Sequence, residues 1–224
     1  MTILLVLYPA YLILGHYALW TRGIEHGDIS LDNLMLNPIL DVGVLNDFDL
    51  VYITGWTARG GRRTGTVAFM ALDLLTEKAI KDRFTWLYRH DVESLIWVLA
   101  WVCLIIEIND DIPEGMDQGT MSRQILRLQA WKDPSTSGLT RNECLNYCDA
   151  NYQPSKRFEQ LWILTMHFLG WLSDNSSERK RHRLRVLVRQ AEGAFPEPHY
   201  DHVYQEIVNL VKSFEASPDF ASLT

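Results

Sequence analysis

The first 21 residues contain no Asp, Glu, Lys or Arg, and no lysine occurs before Lys78. Without a basic segment ahead of it, the apolar run Ile3–Leu14 lacks the layout of a secretory signal. Tyr8, Pro9 and Tyr11 interrupt the run, which falls short of the roughly 18–20 apolar residues that cross a bilayer. It reads as a buried helix with no membrane partner. Left uncovered, such a segment is an association liability, so a protein partner is one expected cover. Cysteine is scarce: Cys103, Cys144 and Cys148 cannot all pair. Cys144 and Cys148 are four apart, the spacing of one helix face, and no nearby His completes a zinc tetrad. Free thiols point to a reducing intracellular compartment, cytoplasmic or nuclear. Basic residues are outnumbered, 21 Lys and Arg against 28 Asp and Glu, for a net charge of −7. That excludes a general nucleic-acid-binding surface. The phosphate-cradling pattern Gly-x-Gly-x-x-Gly is absent throughout.

What is there is an ordinary globular composition, 47% hydrophobic and 22% charged over 224 residues, enough for one domain with a real core. Residues 1–215 read as that domain and 216–224 as a flexible tail. The organising stretch is His26-Gly27-Asp28-Ile29-Ser30-Leu31-Asp32-Asn33, followed by Asp47-Phe48-Asp49. Asp28 and Asn33 stand five apart, and Asp47 lies fourteen beyond Asn33. Between them, Leu34–Leu36 and Val44–Leu45 read as two short strands joined through Asn37-Pro38 to Gly43. Such a hairpin carries Asn33 and Asp47 to one edge.

Ahead of this stretch, Pro9 opens a helix and Gly23 stops it. Behind it comes a Gly- and Arg-rich loop, Thr54–Arg63, then Thr64-Gly65-Thr66 and Phe69-Met70-Ala71 with Asp73. Phe84–Tyr88 is aromatic and patterned as exposed. His90-Asp91-Val92-Glu93-Ser94 opens an apolar run to Ile108, long enough for a buried central helix with Asp91 or a neighbour as its cap. Helices are predicted at Ile125–Trp131, Arg141–Asn151, Phe158–Leu172, Arg179–Arg189 and Val203–Phe214, with a polar break at Asp174–Ser177. Trp97, Trp101, Trp162 and Trp171 read as core. The fold class is mainly α, with a small β-hairpin at its active edge.

The joint pattern resembles the C-terminal lobe of a protein kinase, and the fungal-type protein kinase family in particular. The resemblance rests on Asp28-Ile29-Ser30 with Asn33, on Asp47-Phe48-Asp49, on Arg63-Thr64-Gly65-Thr66 with Phe69-Met70-Ala71, and on Asp91-Val92-Glu93-Ser94. It implies a protein-kinase-like C-terminal lobe with the N-terminal lobe missing. It also implies phosphoryl transfer from ATP, with Mg²⁺, to Ser or Thr hydroxyls of a protein substrate. By the same resemblance Asp28 would be the catalytic base, and Asn33 and Asp47 would hold the Mg²⁺ of the bound nucleotide. Thr66 would sit in the substrate loop and hydrogen-bond towards Asp28. His26 would support the metal loop from behind. Asp73 would pair with a basic residue of a later helix, one of Arg179 to Arg189. Asp91 would cap the central helix and brace the catalytic loop.

Three departures qualify the resemblance. Gly27 replaces the Arg that reads an activation-loop phosphate, so that switch is expected to be absent. Ser30 stands where many relatives have a Lys, and Asp49 replaces the last Gly of the metal loop. With no Gly-rich loop and only 27 residues before Asp28, the chain is expected to be a truncated form carrying half an ATP site. Two alternatives stand beside this reading. One is a non-catalytic pseudokinase that acts as an interaction module. The other is a small-molecule phosphotransferase of the aminoglycoside or choline type, which shares His-Gly-Asp…Asn. The stretch from Asp47 to Asp73 favours a protein kinase over the second. The basic run Glu178-Arg179-Lys180-Arg181-His182-Arg183 fits a nuclear import signal, an acidic-partner site or a solvated helix face.

Overall fold

The computed structural model describes residues 12–37, 39–40, 42–49, 51–54, 65–76, 85–105 and 116–221. The segment before residue 12, most of the Gly- and Arg-rich loop and the acidic loop after the central helix lie outside these. Among the described residues the fold is mainly helical, with two two-stranded sheets. No helix among them is long and apolar enough to cross a membrane.

Helix α1 covers residues 12–20. Leu12, Ile13 and His16 are buried, while Leu14 is exposed. Gly23 follows it with φ of 75°, a left-handed conformation that a side chain disfavours. Four short strands come next: β1 (Ile24–Glu25), β2 (Leu34–Asn37), β3 (Val42–Leu45) and β4 (Tyr52–Ile53). β1 pairs antiparallel with β4. β2 and β3 form the predicted hairpin, with Leu34 opposite Leu45. Gly43 lets the hairpin close on α1, since a Cβ there would lie 3.0 Å from Leu12 Cγ.

Helix α2 (Tyr88–Leu104) is the axis of the molecule and is buried from its first turn. Helices α3 (Gln118–Trp131) and α4 (Ser137–Asn151) pack on each other, and α5 (Glu159–Leu187) and α6 (Tyr200–Glu215) pack on α2. These neighbours cover α2 on nearly every side, leaving only Leu99 and Val102 partly exposed. Trp97 and Trp101 of α2 meet Trp131 of α3 at ring distances of 5.2 and 6.0 Å. Trp162 and Trp171 are only half-buried at the rim of this core. An apolar cavity of about 20 Å³ lies where α1, β2, α2, α5 and α6 meet, walled by Leu12, Leu34, Leu99, Phe168 and Ile207. All three cysteines are buried and free, with the sulfurs of Cys144 and Cys148 3.4 Å apart on α4.

Several expectations need correction. α2 begins at Tyr88 with Leu87 as its N-cap, so Asp91 lies inside the first turn and does not cap it. Tyr88 is buried, not exposed. α3 starts well before Ile125 because the Asp117 side chain accepts from Thr120 N at 2.6 Å and caps the helix there. Asp174–Ser177 is no break: α5 runs through it for 29 residues, about 44 Å at 1.5 Å per residue. Polar residues on a helix mark solvent exposure, and the backbone ladder does not need apolar side chains. Asn175 Nδ2 bonds back to Trp171 O at 2.9 Å, and His182 anchors the far end, buried with its ring 5.5 Å from Phe195. Part of the expected tail is a short helix, α7 (Pro218–Ala221), whose Phe220 ring sits 5.9 Å from Phe214.

Candidate active site

The stretch from His26 to Asn33 lies in the loop between β1 and β2, which contains a left-handed turn at Gly27, φ 76°. Asp28 is half-buried there. Its Oδ1 accepts from Thr66 N at 2.8 Å and from Thr66 Oγ1 at 2.9 Å. No side chain at position 65 would allow this approach without a shift. Gly65 has φ 122°, and a Cβ there would lie 2.9 Å from Met70 Cε and 3.3 Å from Gly27 O. The other Asp28 oxygen, Oδ2, accepts no hydrogen bond from the described residues.

Asn33 ends a single 3-10 turn and starts the hairpin. Its Nδ2 donates to Asp28 O at 2.9 Å, and its own carbonyl accepts from Asn46 N at 2.8 Å. That second bond carries the β2–β3 ladder one step past Leu34 and Leu45, so Asp47 is the next residue along. Asp47 is exposed and left-handed, φ 58°, a conformation that Asp tolerates better than most residues. Its Oδ1 accepts a long bond from Asp49 N, 3.4 Å. His26 is buried and binds both loops: Nε2 donates to Asn46 O at 3.0 Å, and Nδ1 accepts from Asp28 N at 3.4 Å. One neutral tautomer serves both bonds. Phe48 packs on it with ring centroids 5.1 Å apart.

The segment bearing Thr66 is held at three points. Ser137 Oγ and Arg141 Nη2 both donate to Val67 O at 3.3 Å. Leu72 N donates to Glu93 Oε1 at 2.8 Å. Asp73 pairs with Arg89 at 2.6 Å, not with the Arg179–Arg189 run expected of it. Arg89 in turn grips Glu197 through Nε at 2.6 Å and Nη2 at 3.0 Å. Arg179 is half-buried within the field of this cluster, but it makes no ion pair with a described residue. Burial pushes its guanidinium down, and the nearby Arg89 adds to that. Burial alone would raise the Asp73 carboxyl, but His90 at 3.4 Å and Arg89 at 2.6 Å outweigh it and hold it well below the usual range. Arg141 is fully buried over the Trp97 ring at 5.0 Å, and burial pushes its guanidinium down to about 10 against the opposing charge of Glu93.

Asp91 is fully buried, and its oxygens accept from His16 Nε2 at 2.9 Å and Trp86 Nε1 at 3.0 Å. It ties α1 to α2, and its side-chain partners among the described residues lie outside the loop between β1 and β2. Sequence reasoning missed Arg89, Arg141 and Glu197. Arg89 had one available signal, a charge at the start of a helix that is otherwise core. Arg141 and Glu197 had none.

Asn33 and Asp47 offer an amide oxygen and a carboxylate, the hard donors that Mg²⁺ takes from a protein alongside phosphate oxygens. With Asn33 Nδ2 committed to Asp28 O, the amide oxygen is the end left to serve as a ligand. These residues therefore fit the ion that the resemblance implies.

Residues 3–103 match the fungal protein kinase family. The matched stretch takes in the whole β1–β2 loop, the hairpin, Thr66, Asp73 and α2 as far as Cys103. Arg141 and Glu197, which hold the Thr66 segment and Arg89, lie beyond it. No curated protein matches the chain.

Proposed function

We propose that the chain is a protein-kinase C-terminal lobe whose chemistry is phosphoryl transfer from ATP to a Ser or Thr hydroxyl of a protein. The supporting observation is the meeting of Asp28 and Thr66, 38 residues apart in sequence, through bonds of 2.8 and 2.9 Å. A base held by the loop that would seat the substrate suits a protein substrate. In this reading Oδ1 of Asp28 is committed to Thr66, and Oδ2 is left to accept the hydrogen of an incoming hydroxyl and aim its oxygen. Asn33 and Asp47 would hold Mg²⁺, which supplies charge neutralisation at the phosphates. His26 keeps the two loops in step by bonding both.

The sequence has no Gly-x-Gly-x-x-Gly and no lysine before Lys78. In this reading the grip on the α- and β-phosphates comes from another polypeptide segment. The outer face of the hairpin, with Met35 51% and Val44 38% exposed, is the surface on which such a segment would close. Alone, the chain should hold Mg·ATP weakly.

Mn²⁺·ATP tests the assignment as a paramagnetic probe. It should broaden the amide signals of Asn33 and Asp47 first, and Asp47→Ala should abolish this. Uniform broadening, or none at millimolar probe, refutes the metal assignment. Transfer of labelled phosphate to a protein, but not to choline or an aminoglycoside, separates the protein kinase from the small-molecule phosphotransferase. If the site takes no nucleotide, the exposed hairpin face supports the second reading, a non-catalytic module that binds a protein partner.

A further inference from the structure

Beyond Arg179, the far end of α5 takes no part in the site above and lies outside the kinase-family match. Between residues 178 and 189, six Lys and Arg stand against Glu178 alone. The segment therefore carries +5 in a chain of −7, and the rest of the molecule −12. Lys180, Arg181, Arg183, Arg185 and Arg189 are all exposed, and none makes an ion pair with a described residue. Among them sit Leu184, Leu187 and Val188, which are 53%, 77% and 62% exposed. At about 100° per residue, Leu184 and Leu187 are neighbours one turn apart on the outer face. Arg181 and Arg185 run along one flank and Arg183 along the other. The inner face is fixed by His182, buried against Phe195. The leucines therefore cannot turn inward without undoing that contact.

We propose that this outer face docks into an apolar groove rimmed by carboxylates on an acidic protein. Leu184 and Leu187, at i and i+3, are anchors of the kind a helix seats in a groove, and Val188 lies beside them at the C-cap. Four of the five cations that have no ion pair among the described residues are Arg, whose planar fork matches carboxylates in a way that Lys does not. The charge is opposite to that of the chain as a whole and is confined to one helix end, which orients an acidic partner before contact. Residues 180–190 contain no Trp, Tyr or Phe, so the aromatic anchors of an interfacial membrane helix are lacking. An apolar centre is also the wrong surface to lay on a phosphate backbone.

The probe is Ca²⁺-loaded calmodulin, an acidic protein whose Met-rich groove opens with Ca²⁺. Binding to the full chain is measured by calorimetry at physiological salt. The expected result is a micromolar Kd that weakens about ten-fold or more when Ca²⁺ is chelated, because the closed form keeps its charge but loses its groove. Leu184→Glu/Leu187→Glu should weaken binding by about ten-fold or more while the thermal melt stays at the parent value, since both side chains are in solvent. No binding up to about 100 µM overturns the proposal. Equal binding with and without Ca²⁺ leaves charge alone and overturns the groove. Equal binding by the double variant places the contact elsewhere on the chain and also overturns it. Phosphatidylcholine vesicles containing phosphatidylserine form the last arm. Tighter binding to these than to calmodulin assigns the face to a membrane surface instead.

Discussion

Replacing Arg89 by Met removes a charge while keeping most of the side chain's length. Arg89 is 8% exposed, and its bonds are 2.6 Å to Asp73 and 2.6 and 3.0 Å to Glu197. The substitution strands two carboxylates beside an apolar side chain. Breaking a buried ion pair costs about 3–5 kcal/mol. Asp73 and Glu197 keep 33% and 28% of their side-chain surface in water, which trims the loss to about 2–3 kcal/mol. For a chain of this length that is a fall in Tm of about 5–10 °C. The pH dependence gives a second handle. In the parent, Asp73 is held below its usual range, so its contribution is present above the unfolded pKa and is lost as pH falls below it. In Arg89→Met that depression largely goes, so the variant has less to lose. The gap between the two Tm values should narrow from pH 7 to about pH 2.5, below the unfolded pKa of an Asp. Thermal melts followed by circular dichroism at both pH values decide the matter. A shift under about 2 °C at pH 7, or a gap that stays constant on acidification, refutes the reasoning.

Three further outcomes are expected. Gly65→Ala forces a side chain into φ 122° and against Met70. It should cost about 1–3 kcal/mol in urea unfolding, and an unchanged midpoint would contradict the geometry. Thr66→Val removes the hydroxyl bond to Asp28 but keeps the backbone one, a loss of about 0.5–1.5 kcal/mol. Hydrogen exchange should quicken around Gly65–Met70 while α2 stays protected, and uniform quickening would argue against a local effect. His16→Leu leaves the fully buried Asp91 with Trp86 as its side-chain partner among the described residues, at a cost of about 3 kcal/mol or more. Adding Asp91→Asn should recover part of that loss, and simple additivity of the two changes would show that the pair is not coupled.

The helices were legible because their apolar runs are long, and the hairpin because Asn37-Pro38 and Gly43 mark its turn. The continuity of α5 was not, since Asp174–Ser177 has the composition of a loop and only the distant contact of His182 with Phe195 shows otherwise. Spacing alone could not bring Asp28 to Thr66; the family pattern suggested it, and a glycine at position 65 makes it sterically possible. The partner of Asp73 was misassigned because Arg179–Arg189 is the conspicuous basic run, whereas ion pairs are chosen by tertiary proximity. Glu197 lies in Phe195-Pro196-Glu197-Pro198, where nothing local announces that it completes the grip on Arg89.

The apolar cavity beneath the hairpin has a mechanical meaning. Packed interiors resist compression because they hold little free volume. Here the void of about 20 Å³ is walled by Leu34, the residue immediately after Asn33. A squeeze applied to the molecule has room to be taken up at this void, directly beneath the strand that follows Asn33. Pressure applied to the molecule would then reach the hairpin end of Asn33 through a yielding wall and not through solid packing.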